Sequence, residues 1–458
     1  MSNNLTVKEI LDATKGNLIY GNENDICENF VRDTRTINEG DIFIGFKGEA
    51  HDGSMRYKEA LEAGAKGCII NKNVNKIVEK IENKFIIEVD DTILATQQIA
   101  KIKREKYNIP VIAITGSVGK TSTKDIIASV VSEKFNVLKT QGNMNNHIGL
   151  PMTILGLREH TAMVVEMGMN HLGEIEVLTN IAKPTIAVIT NIGTAHIGNL
   201  GSRENILKAK LEILEGLSPD GKIVINNDND LLHNWYLKNG DENKIITYGI
   251  QNNSMENAKN IEYMENSSKY TLKEKNNESI IEVPVGGEAF VYNSLAAISV
   301  GRILNIETEK IKHGILKFEL SKMRLDVQKS NNGYTIINDC YNANYDSMKS
   351  ALEYLNKTSG NRKIAVLGDM LELGEYSEKL HEDVGKVVVK NKIDILITVG
   401  KEAKNIAKIA KQNNIETYEF MNNNSAIEKL KEILQTEDAV LIKASNSMKF
   451  KEIVSAIL

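Results

Sequence analysis

A glycine-rich run near position 116 combines the residue types that hold phosphate groups. It follows the apolar segment PVIAIT and reads Gly116, Ser117, Val118, Gly119, Lys120, Thr121 and Ser122. Glycines let backbone N–H groups approach phosphate oxygens, a helix start favours anions, a lysine adds charge and a threonine hydroxyl can ligate Mg²⁺. The strict GxxxxGK[ST] pattern is not met, because Ile114 stands at its first glycine position. The strand pattern before the loop and the helical pattern after it still favour nucleotide binding over a structural turn with an incidental lysine.

A carboxylate and an imidazole follow two other apolar segments and are candidates for holding a cation. Glu166 ends the run AMVVE, and His196 follows the run TIAVITNI. Open α/β sheets bind ligands beyond the carboxyl ends of their strands, so Glu166 is expected beside a cation. His196 could contact the same ion, although a lone histidine of this kind is more often an ordinary loop residue.

Lys210 lies on the apolar side of a predicted helix. Its apolar neighbours at helical spacing are Ile206, Leu207, Ile213 and Leu214. Lys208, by contrast, lies on the charged face of the same helix. Burial favours the neutral form of an amine. The pattern leaves that possibility open beside a lysine whose stem packs while its ammonium group reaches water.

Further polar residues have structural interpretations that compete with functional ones. Asn293, in VYNSLAA, is predicted to open a helix, where it would serve as the N-cap. Arg324 in KMRLD could form a surface ion pair, and Asp339, at the end of the strand TIIND, could form a turn. A polar cluster follows the strand FNVLKT and comprises Asn143, Asn145, Asn146 and His147.

Three successive regions must position these side chains. Residues 1–108 mix short strands with a helix near 56–64 and predict a small α/β domain. In residues 109–318, apolar strands alternate with amphipathic helices, which is typical of a parallel sheet covered on both faces, and an antiparallel ribbon is predicted at 260–284. Residues 319–458 resume the alternation and predict a second, doubly wound α/β domain.

The composition is that of an intracellular protein of about three domains. The 458 residues include 56 Lys and Arg against 61 Asp and Glu, and the net charge of −5 excludes a generic polyanion binder. Three scattered cysteines do not form a zinc or disulfide framework. The amino terminus lacks a signal-peptide pattern, and no apolar run approaches the ~18 residues that span a membrane. We therefore expect a soluble cytoplasmic protein without nucleic-acid or membrane partners.

Several stretches resemble the Mur ligases, which are ATP-dependent amide-forming enzymes of bacterial cell-wall synthesis. The loop form TGxxGKT is common to this family and to the folylpolyglutamate synthases. Other stretches resemble the branch that adds D-alanyl-D-alanine to a UDP-N-acetylmuramoyl tripeptide: DTR (33–35), GDIFIGFKGEAHDG (40–53), GNMNNHIGLPMT (142–153), VVEMGMNHLGEI (164–175), NDCYNANYDSM (338–348) and LGDMLELG (367–374). The resemblance covers nearly the whole chain. It implies an N-terminal UDP-sugar-binding domain, a central P-loop ATPase-type domain and a C-terminal Rossmann-like domain.

The resemblance also implies a role for each candidate residue. Residues 116–122 would bind the ATP phosphates, and the implied catalytic residues are Lys120, Glu166, His196 and Lys210. Two Mg²⁺ ions would be held by Thr121, Glu166, His196 and Lys210, the last as a carbamate formed with CO₂. The other implied ATP contacts are Asn293 at the adenine, Arg324 at the phosphates and Asp339 at the ribose. The implied UDP-sugar contacts are Thr34, Arg35, Lys47, Gly48, Asn143, Asn145 and Asn146, and the implied dipeptide contacts are Asn342 and Asn344.

The implied reaction passes through an acyl phosphate, which the dipeptide amine then attacks, inside a monomer whose domains close. Two positions depart from the family pattern. The stretch Lys443-Ala444-Ser445-Asn446 lacks an arginine that could grip the dipeptide carboxylate, and His147 stands where many relatives have aspartate. The alternatives are a sister Mur ligase, a folylpolyglutamate synthase, or an ATP-binding conformational switch. The third tripeptide residue, lysine or diaminopimelate, is left open.

Overall fold

The protein is built on three main β-sheets, each with helices packed against it. The computed structural model describes residues 3–48, 51–72, 74, 80–273, 278–321 and 323–458. Successive stretches of the chain form the three sheets, in the order that the sequence pattern predicts. The prediction of a three-part α/β fold is therefore confirmed. No helix within the described ranges is long and apolar enough to cross a membrane.

The first sheet has five strands in the order β2-β7-β6-β5-β4, beside a separate β1-β3 pair. The elements are β1 (Leu5–Thr6), α1 (Val7–Thr14), β2 (Asn17–Tyr20), β3 (Ile26–Cys27), β4 (Phe30–Val31), β5 (Ile42–Ile44), α2 (Tyr57–Glu62), β6 (Gly67–Asn71), β7 (Phe85–Val89) and α3 (Thr92–Glu105). Helix α3 begins where the Asp91 carboxylate accepts the N–H groups of Ile93 and Leu94. The helix predicted near 56–64 is α2.

The central sheet has nine strands in the order β16-β15-β14-β13-β12-β11-β8-β10-β9. The elements are β8 (Val111–Thr115), α4 (Lys120–Ser132), β9 (Val137–Lys139), α5 (Gly149–Leu155), β10 (Ala162–Glu166), α6 (Glu174–Ala182), β11 (Ile186–Ile189), α7 (Ile197–Leu200), α8 (Arg203–Leu211), β12 (Lys222–Asn226), α9 (Asp230–Asn239), β13 (Ile245–Gly249), β14 (Glu256–Tyr263), β15 (Ser268–Lys273), β16 (Glu278–Val283), α10 (Glu288–Ile303) and α11 (Thr308–Leu316). Strands β14 to β16 contain the predicted antiparallel ribbon.

The order of the central strands reverses at β8. From β8 the chain builds β9 and β10 on one side and β11 to β13 on the other, and all of these strands are parallel. Helices that cross to opposite faces on either side of such a strand leave a crevice at its carboxyl end. The residues that follow β8, β10 and β11 therefore share the position where this class of sheet binds ligands.

The last sheet has six strands in the order β17-β18-β22-β19-β20-β21, and all but β17 are parallel. The elements are β17 (Asp326–Lys329), β18 (Thr335–Asn338), α12 (Tyr345–Lys357), β19 (Lys363–Gly368), α13 (Ser377–Lys390), β20 (Ile395–Val399), α14 (Lys404–Gln412), β21 (Glu416–Phe420), α15 (Asn423–Ile433), β22 (Ala439–Lys443) and α16 (Lys451–Ile457). The sequence pattern missed the edge strands β17 and β21, because their partly exposed residues do not form apolar runs.

Specific contacts join the three parts. Helix α3 packs against α5 and α6, and the Arg104 guanidinium donates 2.8 Å to the carbonyl of Ala182. At the other boundary, the N–H of Gly198 in α7 donates 3.1 Å to the carbonyl of Glu372. The Tyr376 hydroxyl donates 2.6 Å to the carbonyl of Gly201. These contacts bring the loop after β19 against α7, which follows β11.

Candidate active site

The phosphate loop links β8 to α4 at the reversal point of the central sheet. Gly119 has a φ of 80°, a left-handed value that favours glycine, and α4 begins directly after it at Lys120. Gly116 is also required, since a Cβ there would lie 1.9 Å from Oγ1 of Thr190. The Nζ of Lys120 donates 2.9 Å to the carbonyl of Gly116 and so lies back over the loop. The first-turn amides, which have no intrahelical acceptor, and the lysine are thus available to one anion.

Asn191, after β11, fixes the path of the phosphate loop. Its Oδ1 accepts the N–H groups of Ser117 and Val118 at 3.1 and 3.0 Å, and its Nδ2 donates 3.1 Å to the carbonyl of Val118. The N–H of Gly193 donates 2.9 Å to the Ser117 hydroxyl. Sequence reasoning missed Asn191, although it lies just beyond the carboxyl end of the buried strand β11.

Glu166 is a buried carboxylate at the end of β10, as predicted, and only 2% of its surface is exposed. Its Oε2 accepts the Thr121 hydroxyl at 2.8 Å, and its Oε1 accepts Nδ2 of Asn145 at 2.8 Å. Within the described part of the chain it forms no ion pair. A buried carboxylate held only by neutral donors is an electrostatic site for a cation.

Lys210 is buried, with 2% of its surface exposed, which favours the enclosed amine over a lysine whose ammonium group extends into water. Among the described residues, none forms a hydrogen bond or ion pair with its Nζ. Burial, assisted by the charge of Lys120, lowers the pKa of Lys210 well below 10.5. Burial also lowers the pKa of Lys120, an effect that Glu166 opposes and Arg324 reinforces.

His196 faces the C-terminal part of the chain. Its Nδ1 lies 2.6 Å from Oε2 of Glu372, without the alignment of a hydrogen bond. Contact with His196, and more weakly the charge of His171, lowers the pKa of the Glu372 carboxyl. Both partners have left-handed backbones, with φ of 63° at His196 and 62° at Glu372. The metal role of His196 stays a prediction.

No group of three or more His, Cys, Asp or Glu side chains forms a ready-made metal site within the described ranges. The candidate cation ligands are therefore few: the Thr121 hydroxyl and the Glu166 carboxylate, which lie 2.8 Å apart. This arrangement suits Mg²⁺, which is usually held by one or two protein oxygens together with substrate phosphates and water.

Arg324 lies in the linker that precedes β17, within electrostatic range of Lys120. Its guanidinium carbon lies 3.9 Å from the centroid of the Tyr341 ring, and its charge acts on Lys120. It stacks on this ring and forms no surface ion pair with a described residue, so that alternative is wrong. Met323 and Leu325, on either side, have φ values of 61° and 49°. Two exceptions of this kind, one on each side of a single arginine, indicate a backbone held in place by its surroundings.

Asp339 directly follows β18 and fixes the same linker. Its Oδ1 accepts the N–H of Leu325 at 3.2 Å, and its Oδ2 lies 2.5 Å from Nζ of the buried Lys443. Lys443 also donates 2.9 Å to the carbonyl of Asn342. The structure thus gives Asp339 a linker-holding role, and its contact with ribose stays a prediction.

Asn293 does not open a helix, so the N-cap interpretation is wrong. Helix α10 begins at Glu288, which places Asn293 in its second turn. The Asn293 Oδ1 accepts the Thr123 hydroxyl at 2.9 Å, and a Cβ built on Gly119 would lie 3.3 Å from the same oxygen. Asn293 therefore lies against the phosphate loop, and its contact with adenine stays a prediction.

A cleft of about 520 Å³ in the N-terminal part has an arginine-rich lining. The lining residues are Arg32, Asp33, Thr34, Arg35, Phe43, Gly53 and Arg56. Arg35 pairs with Asp33 and lowers the pKa of that exposed carboxyl to about 2. The predicted residues Thr34 and Arg35 thus share the cleft with two arginines that the sequence analysis did not single out. Lys47 and Gly48 lie outside this lining, and the backbone of Lys47 forms an antiparallel bridge with that of Asp52.

The predicted asparagine cluster divides among different roles. Asn145 contacts Glu166, whereas Oδ1 of Asn146 accepts the N–H of Gly149 at 2.8 Å at the start of α5. Asn143 and His147 are exposed, and the carbonyl of His147 accepts Nε2 of Gln97 at 3.0 Å. Asn145 is therefore placed with the candidate cation site, and the predicted contacts of this cluster with the UDP-sugar are untested.

The two asparagines assigned to the dipeptide both have structural contacts. Asn344 caps α12, since its Oδ1 accepts the N–H of Ser347 at 2.9 Å. The Oδ1 of Asn342 accepts the N–H of Ala343 at 2.9 Å. Asn446, where an arginine is missing, begins a short 3₁₀ turn and is exposed. Dipeptide contacts by these residues stay predictions.

Buried His381 supports the loop after β19 and makes stability depend on pH. Its Nδ1 lies 2.7 Å from the carbonyl of Ser377, and its Nε2 accepts the N–H of Met370 at 3.0 Å, so the ring is neutral. Burial lowers its pKa below 6.5, although the charges of Asp369 and Glu402 oppose this. The unfolded chain then binds a proton more readily, so the free energy of unfolding is expected to fall as pH falls below 6.5.

Urea unfolding at pH 7.5 and 5.5 measures this loss of stability. The loss is expected to be smaller in His381→Gln than in the wild type, and unchanged in the control His51→Gln, which alters an exposed histidine. An equal loss in His381→Gln and the wild type would show that other groups cause it.

The family comparisons agree with the motifs. A model described as the Mur ligase middle domain matches residues 114–301, and one described as the Mur ligase, glutamate ligase domain matches residues 323–446. The UDP-N-acetylmuramoyl-tripeptide–D-alanyl-D-alanine ligase of Bacillus subtilis (strain 168) is 38% identical to this chain, over 99% of the chain and 98% of that protein.

Solved structures of similar proteins cover the same length. A crystal structure of MurF from Acinetobacter baumannii has a TM-score of 0.88 and 29% identity, covering 100% of this chain and 99% of that one. MurF ligase from Thermotoga maritima, solved in complex with ADP, has a TM-score of 0.79 and 26% identity, covering 94% of this chain and 97% of that one. The similarity thus extends across all three sheets.

Proposed function

This chain belongs to the family of UDP-N-acetylmuramoyl-tripeptide–D-alanyl-D-alanine ligases, and we infer that it carries out the reaction of that family. It uses ATP to join D-alanyl-D-alanine to a UDP-N-acetylmuramoyl tripeptide, which forms the pentapeptide precursor of peptidoglycan with release of ADP and phosphate. One structural observation carries the inference: Lys120, the Thr121–Glu166 pair and Arg324 surround the carboxyl end of β8, so two domains contribute to one site.

In the first step, an oxygen of the tripeptide carboxylate attacks the γ-phosphorus of ATP in line with the bond that breaks. The products are an acyl phosphate and ADP. Lys120 and the first-turn amides of α4 bind the phosphates, and Arg324 adds a second positive charge from the linker. Phosphoryl transfer depends mainly on such positioning and charge neutralisation, because the protein itself makes little covalent chemistry.

Mg²⁺ fits the buried oxygen groups of this site. Glu166 is buried without an ion-pair partner among the described residues, and the Thr121 hydroxyl lies 2.8 Å from it, which supports these two as cation ligands. His196 and a carbamylated Lys210 are proposed for a second ion. When bound, Mg²⁺ neutralises negative charge on the phosphoryl oxygens.

A carbamate on Lys210 would resolve the unfavourable surroundings of this side chain. A neutral amine attacks CO₂ at carbon, forming an N–C bond and releasing one proton, and the product carries a negative charge. The burial of Lys210 and its lowered pKa support the neutral amine that this reaction requires. The resulting anion would be balanced by Lys120 and by a bound cation.

In the second step, the dipeptide amine attacks the acyl carbon and phosphate leaves. Water must be excluded, because it would hydrolyse the acyl phosphate. The contacts of Glu372 and Tyr376 with α7 hold the C-terminal domain against the central one and support this exclusion.

The arginine-rich cleft around Arg35 supports binding of the UDP diphosphate in the N-terminal domain. Because both nucleotides are cytoplasmic metabolites, the reaction is placed in that compartment.

An ADP-release assay with each substrate omitted in turn tests this function. We expect ADP to form rapidly only when ATP, the UDP-tripeptide and D-alanyl-D-alanine are all present, and the pentapeptide product to appear in equal amount by mass spectrometry. The lysine-containing and diaminopimelate-containing tripeptides should be assayed in parallel, and the ratio of their kcat/KM values identifies the preferred third residue.

The same assay separates the alternatives. Turnover with a shorter UDP-linked acceptor and a free amino acid would indicate a sister ligase, and turnover with a folate and glutamate would indicate a folylpolyglutamate synthase. ADP release that is independent of both cell-wall substrates but stimulated by a protein partner would indicate a conformational switch. Each of these results would contradict the proposed reaction.

A further inference from the structure

The loop after β11 contacts the phosphate loop on one side and the C-terminal domain on the other. On the first side, Asn191 binds the amides of Ser117 and Val118, and the N–H of Gly193 donates to the Ser117 hydroxyl. On the second side, both the N–H and the hydroxyl of Thr194 donate to Oδ2 of Asp346, at 2.7 and 2.9 Å. Four consecutive residues therefore connect the two domains.

Asp346 fits this position closely. A Cβ built on Gly193 would lie 2.3 Å from Oδ2 of Asp346, so only glycine allows the carboxylate to come this near. Asp346 lies in the first turn of α12, and the capping box of Asn344 and Ser347 fixes the start of that helix. A charged acceptor with two donors on one oxygen forms stronger hydrogen bonds than a neutral one.

The remaining contacts of the loop belong to the central domain. Arg203 donates 2.7 Å to the carbonyl of Ile192 and is paired with Asp230 at 2.6 Å. The hydrogen bond with Asp230 raises the pKa of Arg203, and the charge of Asp346 adds to this effect, so the guanidinium is within electrostatic range of Asp346. Arg203 thus holds the loop from within the central domain, and Asp346 contacts the loop from the C-terminal domain.

We propose that Asp346 and Thr194 form an interdomain clasp through which docking of the C-terminal domain sets the geometry of the phosphate loop. Asp346 is a positioning residue in this proposal, because it acts on ATP through Thr194, Gly193 and Ser117. Docking of the domain that completes the site would thereby be coupled to productive binding of ATP. The proposal rests on the proposed ligase function for its kinetic readout.

A double-mutant cycle on the full-length enzyme tests the clasp, using Asp346→Asn, Thr194→Val and the double variant. Loss of hydrogen bonds to a charged group predicts that kcat/KM for ATP falls about tenfold to a hundredfold in each single variant. Thr194→Val removes the hydroxyl hydrogen bond that Asp346→Asn also weakens, so the combined loss in the double variant should be clearly smaller than the product of the two single losses. The KM for the UDP-tripeptide should not change, and Thr194→Ser, which keeps the hydroxyl, should restore most of the activity.

Asp220→Asn is the matched control, because Asp220 is exposed and its side chain forms no hydrogen bond or ion pair with a described residue. Multiplicative effects in the double variant, or an effect confined to the KM of the dipeptide, would overturn the clasp.

Affinity for a fluorescent ATP analogue, measured without the other substrates, gives a second readout and should fall in both single variants. If the wild type binds this analogue but does not ligate, the ligase function fails while the clasp is still tested by binding.

Discussion

Replacing Lys120 with methionine is expected to lower kcat for ADP release by about a thousandfold, the scale seen when a charge that stabilises a phosphoryl-transfer transition state is removed. Lys120 begins α4, and its Nζ lies over the loop at 2.9 Å from the carbonyl of Gly116. Methionine keeps the length and most of the apolar contacts of the stem. The change therefore removes the charge and the hydrogen bond with little effect on packing.

The electrostatic surroundings explain why this charge has a large effect. Burial and the nearby Arg324 lower the pKa of Lys120, whereas Glu166 raises it. A bound triphosphate adds several negative charges to the same enclosed space and favours the ammonium form. In surroundings with little water, the attraction between ammonium and phosphate is stronger than it is at an exposed surface.

Lys208→Met is the control for this prediction, because Lys208 is exposed on α8. Both variants should unfold at about the wild-type temperature, as measured by circular dichroism. If Lys120→Met retained more than a tenth of wild-type kcat while remaining folded, Lys120 could not be the main positive charge on the transferred phosphoryl group.

The sequence predicted the parts of the fold and site that depend on local patterns. Continuous apolar runs located β8, β10 and β11, and the rule that ligands lie beyond their carboxyl ends placed Lys120 and Glu166 correctly relative to the sheet. The spacing around Lys210 indicated an apolar environment, and its 2% exposure agrees with that pattern. Each of these inferences depends only on the residues that neighbour the position in the sequence.

Contacts between distant parts of the chain were not predictable in this way. Asp346 contacts Thr194 across 152 residues because two domains meet. Asn293 was misplaced for a different, local reason: α10 begins at Glu288 after Gly287, and no side-chain cap marks that start. Asp and Asn occur so often in turns that their types alone do not show which of them join domains.

If Lys210 carries a carbamate, the rate of ligation is expected to depend strongly on CO₂. Enzyme prepared and assayed without CO₂ should lose most of its activity, and added bicarbonate should restore it over the time that carbamate formation requires. The physical reason is that a bare amine at this position, buried beside Lys120, cannot hold a cation. The carbamate replaces it with an anion.

Lys210→Gln tests the assignment to this residue. It should lower kcat by about a hundredfold or more, because it removes a charge that acts on the phosphoryl group in a buried site, and bicarbonate should not restore it. Carbon-13 NMR with labelled bicarbonate should show one carbamate signal in the wild type and in the control Lys208→Gln, and none in Lys210→Gln.

Wild-type activity that is independent of CO₂, together with no carbamate signal, would show that the buried amine is unmodified. A different group would then have to balance the charge of Lys120, and Glu166 is the only buried carboxylate that the structure brings into electrostatic contact with Lys120 among the described residues.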